Sequence, residues 1–120
     1  MDNLIDVPTI DIRVRISDEV IMRLVHQIVE RFNPKKIILF GSYANGTFRA
    51  ESDIDLLVIM DTSLKEIKQA QQIRQFLNPL FGMDLVVHIP TNLARRIELG
   101  DLFLQEVMNK GKILYESTHA

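Results

Sequence analysis

The sequence predicts an α/β (α+β) fold, a small mixed β-sheet flanked by helices, with the 120 residues forming a single domain. Three observations lead there. Amphipathic segments with apolar residues three and four apart alternate along the chain with short, almost wholly apolar runs. Two of those runs, 36–40 and 83–89, are stopped by Gly41 and Pro90. No repeat, linker or low-complexity tract breaks the alternation.

Residues 1–16 are expected to be peripheral. Within them 10–16 alternate, Ile10, Ile12, Val14 and Ile16 against Asp11, Arg13 and Arg15, the period of an extended segment with one wet face. Pro8 just before it favours an edge position. Ser17 is a candidate N-cap, with Asp18 and Glu19 set to complement a helix dipole. Ile21, Leu24, Val25, Ile28, Val29 and Phe32 then form a core-facing stripe, which Asn33-Pro34 ends. Lys36–Phe40 (KIILF), stopped by Gly41, reads as a central strand.

Residues 41–52 are polar and punctuated by glycine, a loop or a loop with one helical turn. A second buried strand follows over 54–60. Residues 64–80 carry Leu64, Ile67, Ala70, Ile73, Phe76, Leu77 and Leu80 at helical steps, with Asn78-Pro79 fraying the end. Gly82 leads into a third strand over 83–89 (MDLVVHI), stopped by Pro90. Thr91 or Asn92 is expected to cap a helix running to about Leu99. Gly100 breaks it, residues 101–110 continue as another helix, and after Gly111 residues 112–115 (KILY) form a final strand or tail.

Composition excludes several classes. Apolar residues make up 47% of the chain and charged residues 25%, which is the mix of a folded soluble domain and not of a disordered one. The absence of cysteine removes disulfide scaffolds, thiol catalysis and thiolate zinc sites, and suits a reducing compartment. Fourteen basic residues against sixteen acids give a net charge of -2, which argues against nucleic acid as the main partner. The opening MDNLIDVP does not read as a signal peptide, and no apolar run approaches the ~20 residues that span a bilayer. The expectation is a cytoplasmic chain with no membrane partner.

The chemistry is concentrated in Gly41-Ser42, ten further residues, and then Asp53-Ile54-Asp55 at the head of a buried strand. Strand residues two apart share a face, so Asp53 and Asp55 stand side by side while Ile54 enters the core. Adjacent carboxylates beside an apolar core repel, and a hard divalent ion, Mg²⁺ or Mn²⁺, relieves that repulsion. Asp84 heads the next apolar strand in the same way. If the two strands are neighbours, three carboxylates meet at one end of the sheet, a set that suits two metal ions roughly 3.5–4 Å apart on a transferring phosphoryl group. Gly41-Ser42, opening a polar turn after a strand, offers backbone N–H groups and a hydroxyl to phosphate, and Gly46 turns the loop back. A lone Asp-x-Asp is weak, since such pairs often sit in solvated turns; the conjunction carries the reading.

Competing motifs fail on particular residues. Gly41 to Gly46 fits the spacing of a phosphate-binding loop, but Thr47 stands where that loop needs lysine. No G-x-G-x-x-G is present. His26, His88 and His119 lack the paired spacing of a zinc site, and His88 reads as a packed or edge histidine. Arg49, Arg95 and Arg96 are of a kind usually solvated, though any of them can neutralise phosphate.

The segment GSYANGTFRAESDIDLLV resembles the signature of the DNA polymerase β-like nucleotidyltransferase superfamily, and more narrowly of its minimal nucleotidyltransferases. The resemblance spans residues 36–89, and the ending GKILYE is also typical of the group. It implies a nucleoside triphosphate, ATP, held by Gly41, Ser42 and two Mg²⁺ (or Mn²⁺) ions on Asp53, Asp55 and Asp84. Asp84 matches the carboxylate that activates the attacking hydroxyl. One departure stands out: many relatives read Gly-Ser-x-Ala-Arg-Gly, whereas this chain has Asn45 at the arginine place. The lost charge weakens triphosphate binding unless Arg49 replaces it. Minimal members are typically paired with a HEPN-domain ribonuclease toxin, so the implied activity is AMP transfer to a tyrosine of that toxin, as in type VII antitoxins, within a homo- or hetero-oligomer. The alternative is a catalytically inactive module that neutralises its partner by occlusion. Transfer to a small molecule ranks last, because so short a sequence shows no acceptor pocket.

Overall fold

A computed structural model describes residues 15–49 and 52–118 of the chain. Most of the alternating segment at 10–16, and His119, lie outside the described residues. The first helix, α1 (Asp18–Phe32), starts as its sequence predicts: the Ser17 hydroxyl accepts the Val20 N–H at 3.2 Å, with Asp18 and Glu19 in the first turn. Ile21, Leu24, Val25 and Ile28 are buried. Asn33 closes the helix in the left-handed region (φ 52°), and Pro34 follows.

Four strands form one sheet: β1 (Lys36–Phe40), β2 (Ile54–Ile59), β3 (Met83–His88) and β4 (Lys112–Glu116), in the order β3-β2-β1-β4. β1 runs antiparallel to both β2 and β4, and β2 runs parallel to β3. The sheet is therefore mixed. Between β1 and β2 lies one helical turn, α2 (Ser42–Asn45). The other helices are α3 (Glu66–Leu77), α4 (Pro90–Glu98) and α5 (Leu102–Lys110).

Helices on both faces explain why the strands read as unbroken apolar runs. On one face Ile37, Leu39, Ile54, Leu56, Val58, Leu85 and Val87 pack with Val25 and Ile28 of α1 and Ile73 of α3. On the other, Ile38, Phe40, Leu57 and Ile59 pack with Leu93 of α4 and with Leu104 and Val107 of α5. Strand parity puts Asp55 on this second face, beside Leu57, and Asp84 with it, beside Val86.

Three boundaries differ from expectation. α3 is shorter than residues 64–80: it starts at Glu66, and Asn78 in the left-handed region (φ 45°) followed by Pro79 ends it, leaving Leu80 fully exposed. Its buried side includes Gln69, whose amide oxygen accepts from the Thr62 hydroxyl at 2.6 Å. α4 is not capped by Thr91 or Asn92. It begins at Pro90, and the carboxylate of Glu66 reaches across from α3 to accept the Ile89 N–H at 2.7 Å and the Asn92 amide at 3.2 Å. Asp101 is the N-cap of α5, accepting the Leu104 N–H at 3.0 Å, and the last segment is a strand paired with β1.

Candidate functional site

The candidate site forms where β1 ends and β2 and β3 begin. The parallel register sets Asp55 directly beside Asp84, and Asp53 precedes β2 by one residue. The first rungs are pinned: the Ile54 N–H donates to the Gly82 carbonyl at 3.0 Å, and the Arg74 guanidinium of α3 donates to the Met83 carbonyl at 3.3 Å. Phe40, the last residue of β1, is the register partner of Asp55 on the opposite side. Asp53 and Asp84 are exposed, and Asp55 is half-buried.

Two glycines make room for two of the carboxylates. Gly41 has φ +76°, which disfavours a side chain, and a Cβ there would collide with Asp55 Oδ2. A Cβ on Gly82 would collide with Asp53 Oδ1. The freedom expected of Gly41 for a phosphate is thus used first by the Asp55 carboxylate. The sequence marks Gly82 only as a lead-in to a strand. A glycine just ahead of an acid-headed strand is the one signal that pointed to its second task.

Electrostatics single out Asp55. Burial raises its pKa, and the charges of Asp84 and then Asp53 raise it further, to about 6. A cation placed among these oxygens relieves both penalties. Among the described residues no three ligating side chains close on one point as a ready-made metal cage. The donor set still fits Mg²⁺ or Mn²⁺: all its atoms are hard oxygens, and magnesium commonly takes one or two carboxylates and completes its shell with water and substrate phosphate.

The turn after β1 is firmly held. The Ala44 and Asn45 amides donate back to the Gly41 carbonyl at 3.1 and 3.2 Å, so at the start of the turn the Ser42 and Tyr43 amides have no partner within it. The Tyr43 hydroxyl accepts the Ile16 N–H at 2.9 Å, and its ring stacks on Phe48 at 4.8 Å. Asn45 is occupied locally, its side-chain oxygen accepting from the Thr47 hydroxyl at 2.7 Å. Arg49 is exposed, and among the described residues its guanidinium has no hydrogen bond or ion pair.

Other residues singled out by sequence lie elsewhere. His88 is buried at the far end of β3, four residues and about 13 Å along the strand from Asp84. There it contacts Glu66 Oε2 at 3.3 Å, so it is a packed histidine away from the carboxylates. His26 is exposed on α1. Arg96 pairs with Asp101 at 2.9 Å, and Arg95 is exposed on α4.

The sequence profile of the family described as Nucleotidyltransferase domain matches residues 21–114. A 27-residue stretch, 22% of this chain, is 67% identical to a candidate protein adenylyltransferase of Methanocaldococcus jannaschii, and spans only 27% of that curated relative's length. Among solved structures, a chain of a toxin–antitoxin crystallised with AMP-PNP superposes with a TM-score of 0.54 at 28% identity, covering 81% of this chain and 74% of that one. A candidate nucleotidyltransferase from Sulfolobus solfataricus gives a TM-score of 0.59 at 13% identity over 85% of this chain and 82% of its own, a likeness of fold.

Proposed function

This chain belongs to the nucleotidyltransferase-domain family, and on that premise we propose that it transfers AMP from ATP to a hydroxyl, the tyrosine of a HEPN-domain toxin, and thereby acts as an antitoxin. The observation that carries the reading is the register that sets Asp55 beside Asp84, with Asp53 two residues before, opposite the Gly41-Ser42 turn. The relative of similar sequence named for protein adenylylation, and the similar chain from a toxin–antitoxin crystallised with AMP-PNP, support the acceptor class and the partner.

In this reading Asp53, Asp55 and Asp84 hold the divalent ions, which when bound draw electron density from the α-phosphate and neutralise the pyrophosphate. The amides of the Gly41-Ser42 turn and the Ser42 hydroxyl bind the phosphate chain, and Arg49 is near enough in sequence to add charge. The acceptor oxygen attacks the α-phosphorus as the bond to the β-phosphate oxygen breaks. Asp84 takes the hydroxyl proton, and pyrophosphate leaves. No helix among the described residues is long and apolar enough to cross a membrane, and a cytoplasmic location belongs to the same proposal.

The test is incubation of the chain with its toxin partner, Mg²⁺ and α-labelled ATP. Label is expected on the toxin, and Asp53→Asn with Asp55→Asn is expected to lower transfer by at least ~100-fold, the scale of a lost metal site. Neutralisation of the toxin with no label transferred, unchanged in the double variant, favours occlusion and overturns the enzymatic reading.

A further inference from the structure

We infer that Tyr43 is a positioning residue for the reaction, the bolt by which the chain ahead of α1 and the loop after α2 hold the Gly41-Ser42 turn in place. The inference rests on the nucleotidyl-transfer reading and adds what aims that turn. α2 does not aim itself. It is four residues long, none of them is buried, and Gly41 and Gly46 on either side have φ values of +76° and +82°. A single helical turn is marginal alone. The amides that donate back to the Gly41 carbonyl close the turn, but they do not fix how it faces the strands around it.

The Tyr43 side chain reaches three other parts of the chain. Its hydroxyl accepts the N–H of Ile16, 27 residues back. Its ring lies 20° from parallel to that of Phe48. Tyr43 and Ile16 both pack on the apolar layer under α1. Further out, the Arg15 guanidinium lies 5.2 Å from the centre of the Phe48 ring and pairs with Asp18 at 3.3 Å, so the clamp continues into the first turn of α1. Phe48 stands between Gly46 and Asp53, and the stack therefore also holds the loop that leads to the carboxylates. Tyr43 packs on the face of the sheet opposite to Asp55. It acts through the turn, not on the substrate.

Titration calorimetry of the intact chain with Mg²⁺ and AMP-PNP, paired with thermal melting, tests this. Tyr43→Phe keeps the ring and removes the acceptor for Ile16, and is expected to weaken AMP-PNP about threefold. Tyr43→Leu removes the stack as well and is expected to weaken it about tenfold. Leu24→Ala, at a buried position on α1, is the control for stability alone. It is expected to melt lower and to keep AMP-PNP affinity within about twofold of the parent. If both Tyr43 variants melt lower yet bind AMP-PNP as the parent does, while Asp55→Asn binds it weakly, the positioning role is overturned and the nucleotidyl-transfer reading stands. If the parent chain binds no AMP-PNP, that reading fails and the positioning role with it. Should Tyr43→Leu not fold, unchanged affinity in Tyr43→Phe is itself sufficient to overturn the assignment.

Discussion

At the scale of single residues, Asp55 ties the candidate site to pH. Its carboxyl is pushed up to about 6 from 3.8, by burial first and then by Asp84 and Asp53. In the unfolded chain this proton leaves at a lower pH than in the folded one. Without divalent metal, the contribution of Asp55 to stability therefore falls as pH rises from about 4 through about 6. Asp55→Asn is expected to melt about 2–4 °C above the parent at neutral pH in chelated buffer. That gap should close near pH 4 and shrink when Mg²⁺ and nucleotide are added; scanning calorimetry reads all three. The pairing of Asp53 with Asp55 was legible, because a period of two and a buried Ile54 leave few alternatives. The clearance that Gly82 gives Asp53 was not, because it depends on two strands meeting that lie almost thirty residues apart in sequence.

At the scale of elements, the node around Glu66 shows why helix starts are hard to read locally. Pro90 is the local mark of where α4 begins, but no capping side chain stands beside it, since the group that receives the Ile89 amide comes from the first turn of α3. Burial works against the Glu66 carboxylate, but hydrogen bonds from Ile89 N–H and Asn92, then the charge and hydrogen bond of His88, hold its pKa below the usual range. A lowered carboxyl pKa gives stability that is present above that range and lost as pH falls through it. Glu66→Ala is expected to cost about 1–2 kcal/mol at neutral pH in urea unfolding, with the difference from the parent disappearing in acid. By contrast α1 was legible from end to end: Ser17, its acids, its stripe and Asn33-Pro34 are all local signals, and each does locally what it promises. Residues 64–80 misled because apolar periodicity runs past both ends of α3, while Ile67 at 68% exposure and Leu80 at 100% face solvent.

At the scale of the whole molecule, the sheet divides two apolar layers, and both must be filled for the rim carboxylates to hold their register. Leu57 lies two residues beyond Asp55 on the same face and is 1% exposed. Leu57→Ala is expected to cost about 2–5 kcal/mol by denaturant titration, from lost burial and the cavity left behind. The presence and approximate extent of β1, β2 and β3 were legible from their apolar runs, while residues 112–115 read equally as a strand or a tail, and the strand order was not legible. That β1 sits between β2 and β4 is decided by how helices cover both faces, which no window of sequence records. One junction ties the second layer directly to the edge of the sheet. Gly111 alone separates α5 from β4, and a Cβ on it would lie 2.5 Å from both Ile38 Cγ2 and the Val107 carbonyl oxygen. With no slack at that joint, the last turn of α5 and the first residue of β4 are seated together, and neither can be re-aimed without displacing the other.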